Sequence, residues 1–141
     1  MSPPSNDEQR AALRQIMFTT PYIEGLGLTV ERWDTDGVRL RLPFRPELTN
    51  DGKVYHGGAV ASLMDTAGAA AVWAGHDFEK GARAATVSMT INYTGAGKQA
   101  DLLADAVCVK RGRDLAFSEI TITDAEDRPV ATGTLVYRIV L

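Results

Sequence analysis

Residues 56–76 of the 141-residue chain read HGGAVASLMDTAGAAAVWAGH, and Asp65 is the single charged residue between the two histidines that bound this stretch. Small apolar residues, mostly alanine and glycine, fill nearly every other position, so a helix built from them has no polar face. The stretch therefore predicts one long helix, from residue 57 to about residue 74, that is covered on more than one side. Alanine adds little to membrane insertion and a carboxylate at the bilayer centre is costly, which favours a buried helix of a soluble protein.

Helical and strand-like patterns surround this central segment. A short amphipathic helix is predicted at residues 7–17, because Ser5 and Glu8 resemble a capping box and apolar residues follow at helical spacing. Pro21 is expected to end that region. Strands are predicted at 28–33, 38–44, 86–93, 103–110, 115–123 and 130–140. The order of helix, two strands, long helix and four strands favours an α+β fold in which an antiparallel sheet wraps the central helix, with a partner subunit as its second cover.

Composition places the chain among globular proteins, since 45% of the residues are hydrophobic and 23% are charged. The length suits one ordinary domain with a core of its own. A formal net charge of −3 argues against nucleic-acid binding, which needs a positive face. The lone cysteine, Cys108, stands in an apolar run, so a buried thiol and a reducing, cytoplasmic setting are expected. The first ten residues are polar and lack the apolar region of a signal peptide.

Asp65 and the two glycines after His56 are the residues that indicate a catalytic function. A buried carboxylate without a partner destabilises the folded protein, so Asp65 is expected to have a specific role. Gly57 and Gly58 let another group approach the backbone, and the N–H groups and dipole of a helix start favour a negative oxygen. Hydrolysis of an activated acyl group would use both features: the Gly57 N–H stabilises the oxyanion, and the carboxylate attacks or activates water.

The spacing of these two groups limits how they can act together. Gly57 and Asp65 are eight residues apart, which is about 12 Å along one helix at ~1.5 Å per residue. One carbonyl cannot lie within hydrogen-bond reach of both groups on the same helix. If both act on one carbonyl, they come from two antiparallel helices, as a twofold dimer with two equivalent interface sites would supply.

The string N-x5-HGG-x6-D at residues 50–65 resembles the hotdog-fold acyl-CoA thioesterases, in the PaaI-like branch of the 4-hydroxybenzoyl-CoA thioesterase superfamily. Residues 86–93, TVSMTINY, are similar to the family's strand after the long helix, and the run KRGR at 110–113 is similar to its basic turn. The resemblance spans about residues 25–140. It departs from the family at residue 94, where threonine stands in place of the proline that often follows this tyrosine.

The resemblance implies a hotdog fold, dimers that often pair into tetramers, and hydrolysis of an acyl-CoA thioester to free acid and CoA. The acyl group expected from the branch is aromatic, with medium-chain groups next. No cofactor or metal is expected, because CoA is part of the substrate. Residues 1–20 would form an N-terminal segment with a short helix, and residues 21–141 would form the hotdog thioesterase domain.

The resemblance also assigns roles to individual residues. Asp65 would be the nucleophile or general base, and Gly57 would be the oxyanion donor. Asn50 and His56 would position the thioester or the water, and Thr86 would supply a hydroxyl near the attacking water. In the family, Asn50, His56 and Gly57 of one subunit face Asp65 and Thr86 of the other, which agrees with the distance argument.

A second group of residues is predicted to contact the substrate. The residues expected to bind the acyl group or CoA are Gly58, Val60, Met64, Lys110, Arg111, Gly112 and Arg113, the last four near the CoA phosphates. Ser88 and Thr90 share a strand face with Thr86, so any of the three could carry the functional hydroxyl.

Each assignment has a plainer structural interpretation. Asp65 can be bonded to a neighbouring backbone, His56 can brace the loop that holds Asn50, and the basic turn can be a solvated hairpin. His76 is expected at the surface of the helix end, and Cys108 is not expected to be a nucleophile. The competing functions are a non-catalytic acyl-CoA binding or sensing module and a hotdog dehydratase or hydratase.

Overall fold

Helix α3, Gly57–Ala74, forms in the computed structural model where the sequence predicts it, and the structure describes residues 2–141. Thirteen of its 18 residues are buried. Gly68 shows how close the sheet comes, because a Cβ there would lie 2.7 Å from Leu135 Cδ2, and the Ser118 hydroxyl donates to the Gly68 carbonyl at 2.9 Å. Small side chains therefore let the sheet close around this helix. None of the helices within residues 2–141 is long and apolar enough to cross a membrane.

A six-stranded antiparallel sheet wraps α3, in the spatial order β1-β2-β4-β5-β6-β3. The strands are β1 Thr29–Trp33, β2 Gly37–Leu42, β3 Arg83–Tyr93, β4 Leu102–Arg111, β5 Leu115–Asp124 and β6 Pro129–Val140. Alternation decides which face meets the helix: in β2 the side chains of Val38, Leu40 and Leu42 are fully buried, while the arginines between them pair with carboxylates. This arrangement confirms the predicted α+β hotdog fold.

β3 is the outermost strand and the most exposed one. It pairs with β6 along one edge, and no strand within residues 2–141 pairs with its other edge. Met89 and Ile91 are half-buried, and the other nine residues of the strand are exposed. A long edge strand that is exposed on both faces is a template for pairing with another chain.

Two helices precede the sheet, where the sequence predicts one. α1, Asn6–Met17, begins at the predicted capping box: Ser5 Oγ accepts from the Glu8 N–H at 3.2 Å, and the Glu8 carboxylate accepts from the Ser5 N–H at 2.7 Å. The second helix is α2, Pro21–Leu26. α1 does end before Pro21, at Met17, but the helix that begins at Pro21 is not predicted. Proline stands at the first position of α2, where its missing N–H costs nothing.

His76, just after α3, is buried and not at the surface as predicted. Its side chain is 5% exposed and packs edge-on against the rings of Trp73 and Phe78, at centroid distances of 5.1 and 5.0 Å. Nε2 lies 2.8 Å from the Gly81 carbonyl oxygen. The short 3-10 turn Phe78–Lys80 folds the chain back over the helix end and covers the ring. Burial lowers the pKa of His76.

We expect this burial to make stability depend on pH. The ordinary pKa of a histidine is about 6.5, and the folded protein holds the pKa of His76 below that value. The unfolded chain therefore binds the proton first, and the free energy of unfolding falls as pH drops from about 6.5 towards the folded-state pKa, by at most ~1.4 kcal/mol per pH unit. Urea denaturation between pH 8 and pH 5 measures this, and His76→Gln should show a smaller slope. Equal slopes for both proteins would contradict the prediction.

Candidate active site

Asp65 lies in the middle of α3 and is paired with a hydroxyl of β3. Asp65 Oδ1 accepts a hydrogen bond from Thr86 Oγ1 at 2.7 Å. Asp65 is half-buried, so its carboxylate reaches solvent while the rest of that helix turn is covered. Of the three candidate hydroxyls, Thr86 alone has a bond to this carboxylate among residues 2–141, and Ser88 and Thr90 do not.

The two glycines at the start of α3 differ in what their N–H groups do. His56 caps the helix, because its Nδ1 accepts the Gly58 N–H at 2.7 Å. Nδ1 is the acceptor in this bond, on a side chain that is exposed. No acceptor for the Gly57 N–H exists within residues 2–141. Gly57 therefore offers the available amide at this helix start, whereas the amide of Gly58 is occupied.

Tyr93 holds the same helix start from the other side. Its hydroxyl donates to the Gly57 carbonyl at 2.8 Å, and its ring lies 3.4 Å from the position that a Gly57 Cβ would occupy. Tyr93 is the last residue of β3, so the strand that contacts Asp65 near its beginning contacts Gly57 at its end. Sequence reasoning missed this contact, because an exposed tyrosine hydroxyl can be satisfied by water and gives no signal of a partner 36 residues away.

Asn50 and His56 belong to one hairpin loop that leads into α3. The Asn50 N–H donates to the Val54 carbonyl at 3.0 Å, and the His56 N–H donates to the Leu48 carbonyl at 2.9 Å. Both side chains are exposed. The loop therefore brings Asn50, His56 and Gly57 to one end of the helix, as their predicted shared role requires.

Within one chain, these groups do not converge with Asp65. Gly57 and Asp65 both belong to α3, where eight residues correspond to about 12 Å. The chain thus holds two separate groups of predicted site residues, called half-sites below: the Asp65–Thr86 pair, and the helix start with Asn50, His56 and Gly57.

Val60 and Met64 do not line an open pocket in this structure. Val60 is 3% exposed and Met64 is 0% exposed, and the Met64 sulfur packs against β6 at Gly133. The pocket that opens beside Asp65 is walled instead by Leu13, Met17 and Ile23, among other side chains. The sequence analysis places Val60 and Met64, with residues of a partner subunit, in an acyl pocket at a dimer interface, and within one protomer the sheet covers both side chains.

The basic turn between β4 and β5 is partly structural. Arg111 donates from Nη1 to the Val72 carbonyl at 2.9 Å and from Nη2 to Asp36 Oδ1 at 2.8 Å, so it caps the end of α3. The Gly112 N–H closes the turn on the Leu115 carbonyl at 2.7 Å. The exposed cations of the turn are Lys110 and Arg113.

Burial shifts the pKa values of two further side chains, Tyr137 and Cys108. Tyr137 lies opposite Thr86 in the β3–β6 pairing and accepts a hydrogen bond from Trp73 Nε1 at 3.1 Å. Burial raises the pKa of Tyr137, so its hydroxyl stays protonated at neutral pH. Burial also raises the pKa of the Cys108 thiol, which keeps it in the unreactive protonated form.

A family model described as the thioesterase superfamily matches residues 52–131, which is more than half of the chain and includes His56, Gly57, Asp65 and Thr86. The chain belongs to the thioesterase superfamily. The prediction of a thioester hydrolase is confirmed at this level. A protein of Halobacterium salinarum named "Putative esterase" is 32% identical to this thioesterase, over 94% of this chain and 93% of its own length.

Two solved structures share the fold of this thioesterase. The PaaI protein of E. coli, from the phenylacetic acid degradation operon, has a TM-score of 0.82 at 21% identity, covering 96% of this chain and 94% of its own. A hypothetical thioesterase protein of Streptococcus pneumoniae, solved with coenzyme A, has a TM-score of 0.76 at 23% identity, covering 90% of this chain and 95% of its own. At these identities the likeness is one of fold.

Thr86→Val tests the hydroxyl that pairs with Asp65. Loss of a hydrogen bond to a charged group costs about 1.5–3 kcal/mol, so we expect thioester turnover to fall roughly 10- to 100-fold. Thr86→Ser keeps the hydroxyl and should retain most of the activity. Ser88→Ala is the matched control on the same strand. A loss in Ser88→Ala as large as in Thr86→Val would show that the wrong hydroxyl is assigned.

Proposed function

We propose that this thioesterase hydrolyses acyl-CoA to free acid and CoA, with Asp65 as nucleophile or general base and the Gly57 N–H as oxyanion donor at a dimer interface. The observation that carries the proposal is the Asp65–Thr86 hydrogen bond in the lining of an open pocket. CoA is part of the substrate, so the reaction needs neither a cofactor nor a metal. A reduced, buried Cys108 suits a cytoplasmic setting.

The carboxylate can act in two ways. As nucleophile, Asp65 attacks the thioester carbon, the C–S bond breaks, and water then hydrolyses the mixed anhydride to regenerate the carboxylate. As general base, it takes a proton from a water molecule whose oxygen attacks the same carbon. In both routes the sulfur leaves as thiolate and is protonated by solvent. The Thr86 hydroxyl donates to Oδ1, which fixes the carboxylate and leaves Oδ2 for the reaction.

The helix start suits the developing oxyanion. The Gly57 N–H has no acceptor within residues 2–141, and the positive end of the α3 dipole reinforces it. His56 and Tyr93 hold the groups on either side, through the Gly58 N–H and the Gly57 carbonyl. Little reorganisation is then needed when the negative charge forms.

The free edge of β3 supplies the way to join the half-sites. Thr86, near the beginning of the strand, contacts Asp65, and Tyr93, at its end, contacts Gly57. If two copies pair antiparallel along β3 about a twofold axis near the strand's middle, the Thr86 end of one copy lies beside the Tyr93 end of the other. Asp65 of one protomer then approaches the helix start of the second. Such dimers would pair further into tetramers.

In this proposal the CoA phosphates meet a positively charged turn. Lys110 and Arg113 are exposed cations on the turn between β4 and β5, and they would meet the CoA phosphates near solvent. Arg111 supports this turn from within by bonding to α3. The acyl group is aromatic or medium-chain in this proposal. The likeness in fold to the Streptococcus pneumoniae protein solved with coenzyme A supports an acyl-CoA substrate.

Asp65→Asn tests the central assignment. The amide can neither attack the thioester nor take a proton, so we expect release of free thiol from a panel of aryl- and alkyl-CoA substrates to fall by roughly 100-fold or more. Asp127→Asn is the matched control, because Asp127 is exposed in a turn at φ 64°, a conformation that asparagine accepts. Full turnover by Asp65→Asn would refute the mechanism. Tight binding of acyl-CoA by the wild type without thiol release would favour a binding module.

Gly57→Pro tests the oxyanion donor and the shared site together. Proline removes the N–H at the first helical position, where it fits, and His56 already has the extended backbone that precedes proline, at φ −62° and ψ 136°. We expect a loss of roughly 100-fold or more in kcat.

Mixing the two inactive variants then tests the dimer. Co-refolding Gly57→Pro with Asp65→Asn should restore activity that neither variant has alone, because the mixed dimer holds one intact site. If the mixture stays inactive while size-exclusion chromatography shows that subunits have exchanged, the half-sites are not shared.

A further inference from the structure

The pocket beside Asp65 is built from the N-terminal helices as much as from the sheet. Leu13 and Met17 of α1 and Ile23 of α2 form its outer wall, and all three are half-buried. Ala69 and Trp73 of α3 and Tyr137 of β6 form its floor. The Asp65–Thr86 pair and Thr66 complete the lining. If the thioester carbon lies at Asp65, the acyl group attached to it can therefore enter an apolar pocket that a single protomer forms.

Both ends of α1 are held by contacts with other elements, so the α1 side chains that line the pocket have fixed positions. At the beginning of the helix, the Asn6 amide donates to Asp77 Oδ1 at 3.3 Å and accepts from the Phe78 N–H at 2.8 Å. One turn later, Arg10 Nε donates to the His76 carbonyl at 2.9 Å. Leu13 and Met17 follow these anchors on the side of the helix that faces α3.

The other end of α1 is held by an aromatic contact. The Phe18 ring meets the Trp33 ring edge-on at 6.3 Å, and the Arg14 guanidinium lies 5.2 Å from the Trp33 ring centroid. Edge-on aromatic pairs and cation–π contacts of this kind are stabilising beyond the burial of area. The helix thus spans the pocket between two anchor points.

The chemistry of the lining selects the kind of group that fits. No lysine or arginine lines this pocket among residues 2–141, and the charge in its lining is the Asp65 carboxylate. An acyl group that carries a second carboxylate would be desolvated beside a like charge, which is unfavourable. An uncharged hydrocarbon or aryl group would gain from apolar burial. The Tyr137 hydroxyl, which accepts from Trp73 Nε1, also lines this pocket.

We propose that this pocket receives the acyl group of the substrate, and that Leu13, Met17 and Ile23 determine which acyl groups are accepted. The inference rests on the proposed function, since it places the thioester carbon at Asp65. Specificity then resides in α1 and α2, upstream of all the residues assigned to the chemistry. Uncharged apolar acyl groups are the substrates, and acyl groups with a terminal carboxylate are excluded.

Variants of α1 test the assignment through the acyl profile. Met17→Ala removes wall surface, and Met17→Trp fills the space. Ile16→Ala is the matched control, because Ile16 is the adjacent residue and is 60% exposed, with its side chain outside the pocket. Thiol release is measured for acetyl-, butyryl-, octanoyl-, phenylacetyl- and succinyl-CoA. The rate of thiol release from the shortest acyl-CoA that the wild type hydrolyses shows whether each variant is still folded and still catalyses the reaction.

We expect a change in profile and not a uniform loss. Met17→Ala should lower kcat/KM for octanoyl- or phenylacetyl-CoA by roughly tenfold, mainly through KM, and Met17→Trp should lower it by at least as much, with the shortest substrate little affected in both. Met17→Leu should restore the wild-type profile. Succinyl-CoA should be hydrolysed much more slowly than butyryl-CoA by the wild type.

The failures of the two proposals are distinguishable. If the wild type releases thiol from no acyl-CoA, the proposed function fails. If the wild type is active but Met17→Ala and Met17→Trp keep the same relative rates as Ile16→Ala, the acyl group lies elsewhere and this inference is overturned. Equal rates for succinyl- and butyryl-CoA would overturn the exclusion of charged acyl groups.

Discussion

The fold depends on a helix that is almost entirely enclosed and has one charged residue. α3 buries 13 of its 18 residues, and its alanines and glycines let β5 and β6 approach to contact distance. A carboxylate cannot be fully buried between the helix and the sheet without a large desolvation cost. The cover of α3 is therefore open at Asp65, between β3 and the N-terminal helices, and the Thr86 hydroxyl donates a hydrogen bond there. The same opening avoids the desolvation cost of the Asp65 carboxylate and leaves a pocket beside it.

The two groups of proposed catalytic residues depend on different physical effects. Around Asp65, a side-chain hydroxyl orients a charge at a gap in the core. At the start of α3, the backbone is oriented by side chains: His56 engages the Gly58 amide, and Tyr93 engages the Gly57 carbonyl. β3 connects the two, because Thr86 and Tyr93 stand near opposite ends of it. A change in the register of this strand would disturb both.

Much of this arrangement could be predicted from local patterns. The alternation in β2, the capping box of α1 and the all-round apolar character of α3 are properties of neighbouring residues, and the structure confirms them. Pro21 misled the prediction because proline both follows helices and begins them, and the surrounding residues do not distinguish the two cases.

Long-range contacts account for the other differences. Arg111 bonds to the carbonyl of Val72, 39 positions earlier, so a basic turn that looks solvated is partly structural. His76 is covered by a turn that folds back over the helix end, which composition does not reveal. Met64 and Met17 are equally apolar in the sequence, yet one fills the core and the other borders the pocket. Side-chain roles of this kind are set by where distant elements meet.

The clamped position of α1 has a consequence for substitutions in this helix. Its anchors, Asn6, Arg10 and Phe18, are separate from the side chains that border the pocket, and both groups precede the histidine-glycine motif by more than thirty residues. Substitutions at Leu13 or Met17 can therefore change the proposed acyl pocket while the anchors of α1 and the Asp65–Thr86 pair keep their positions.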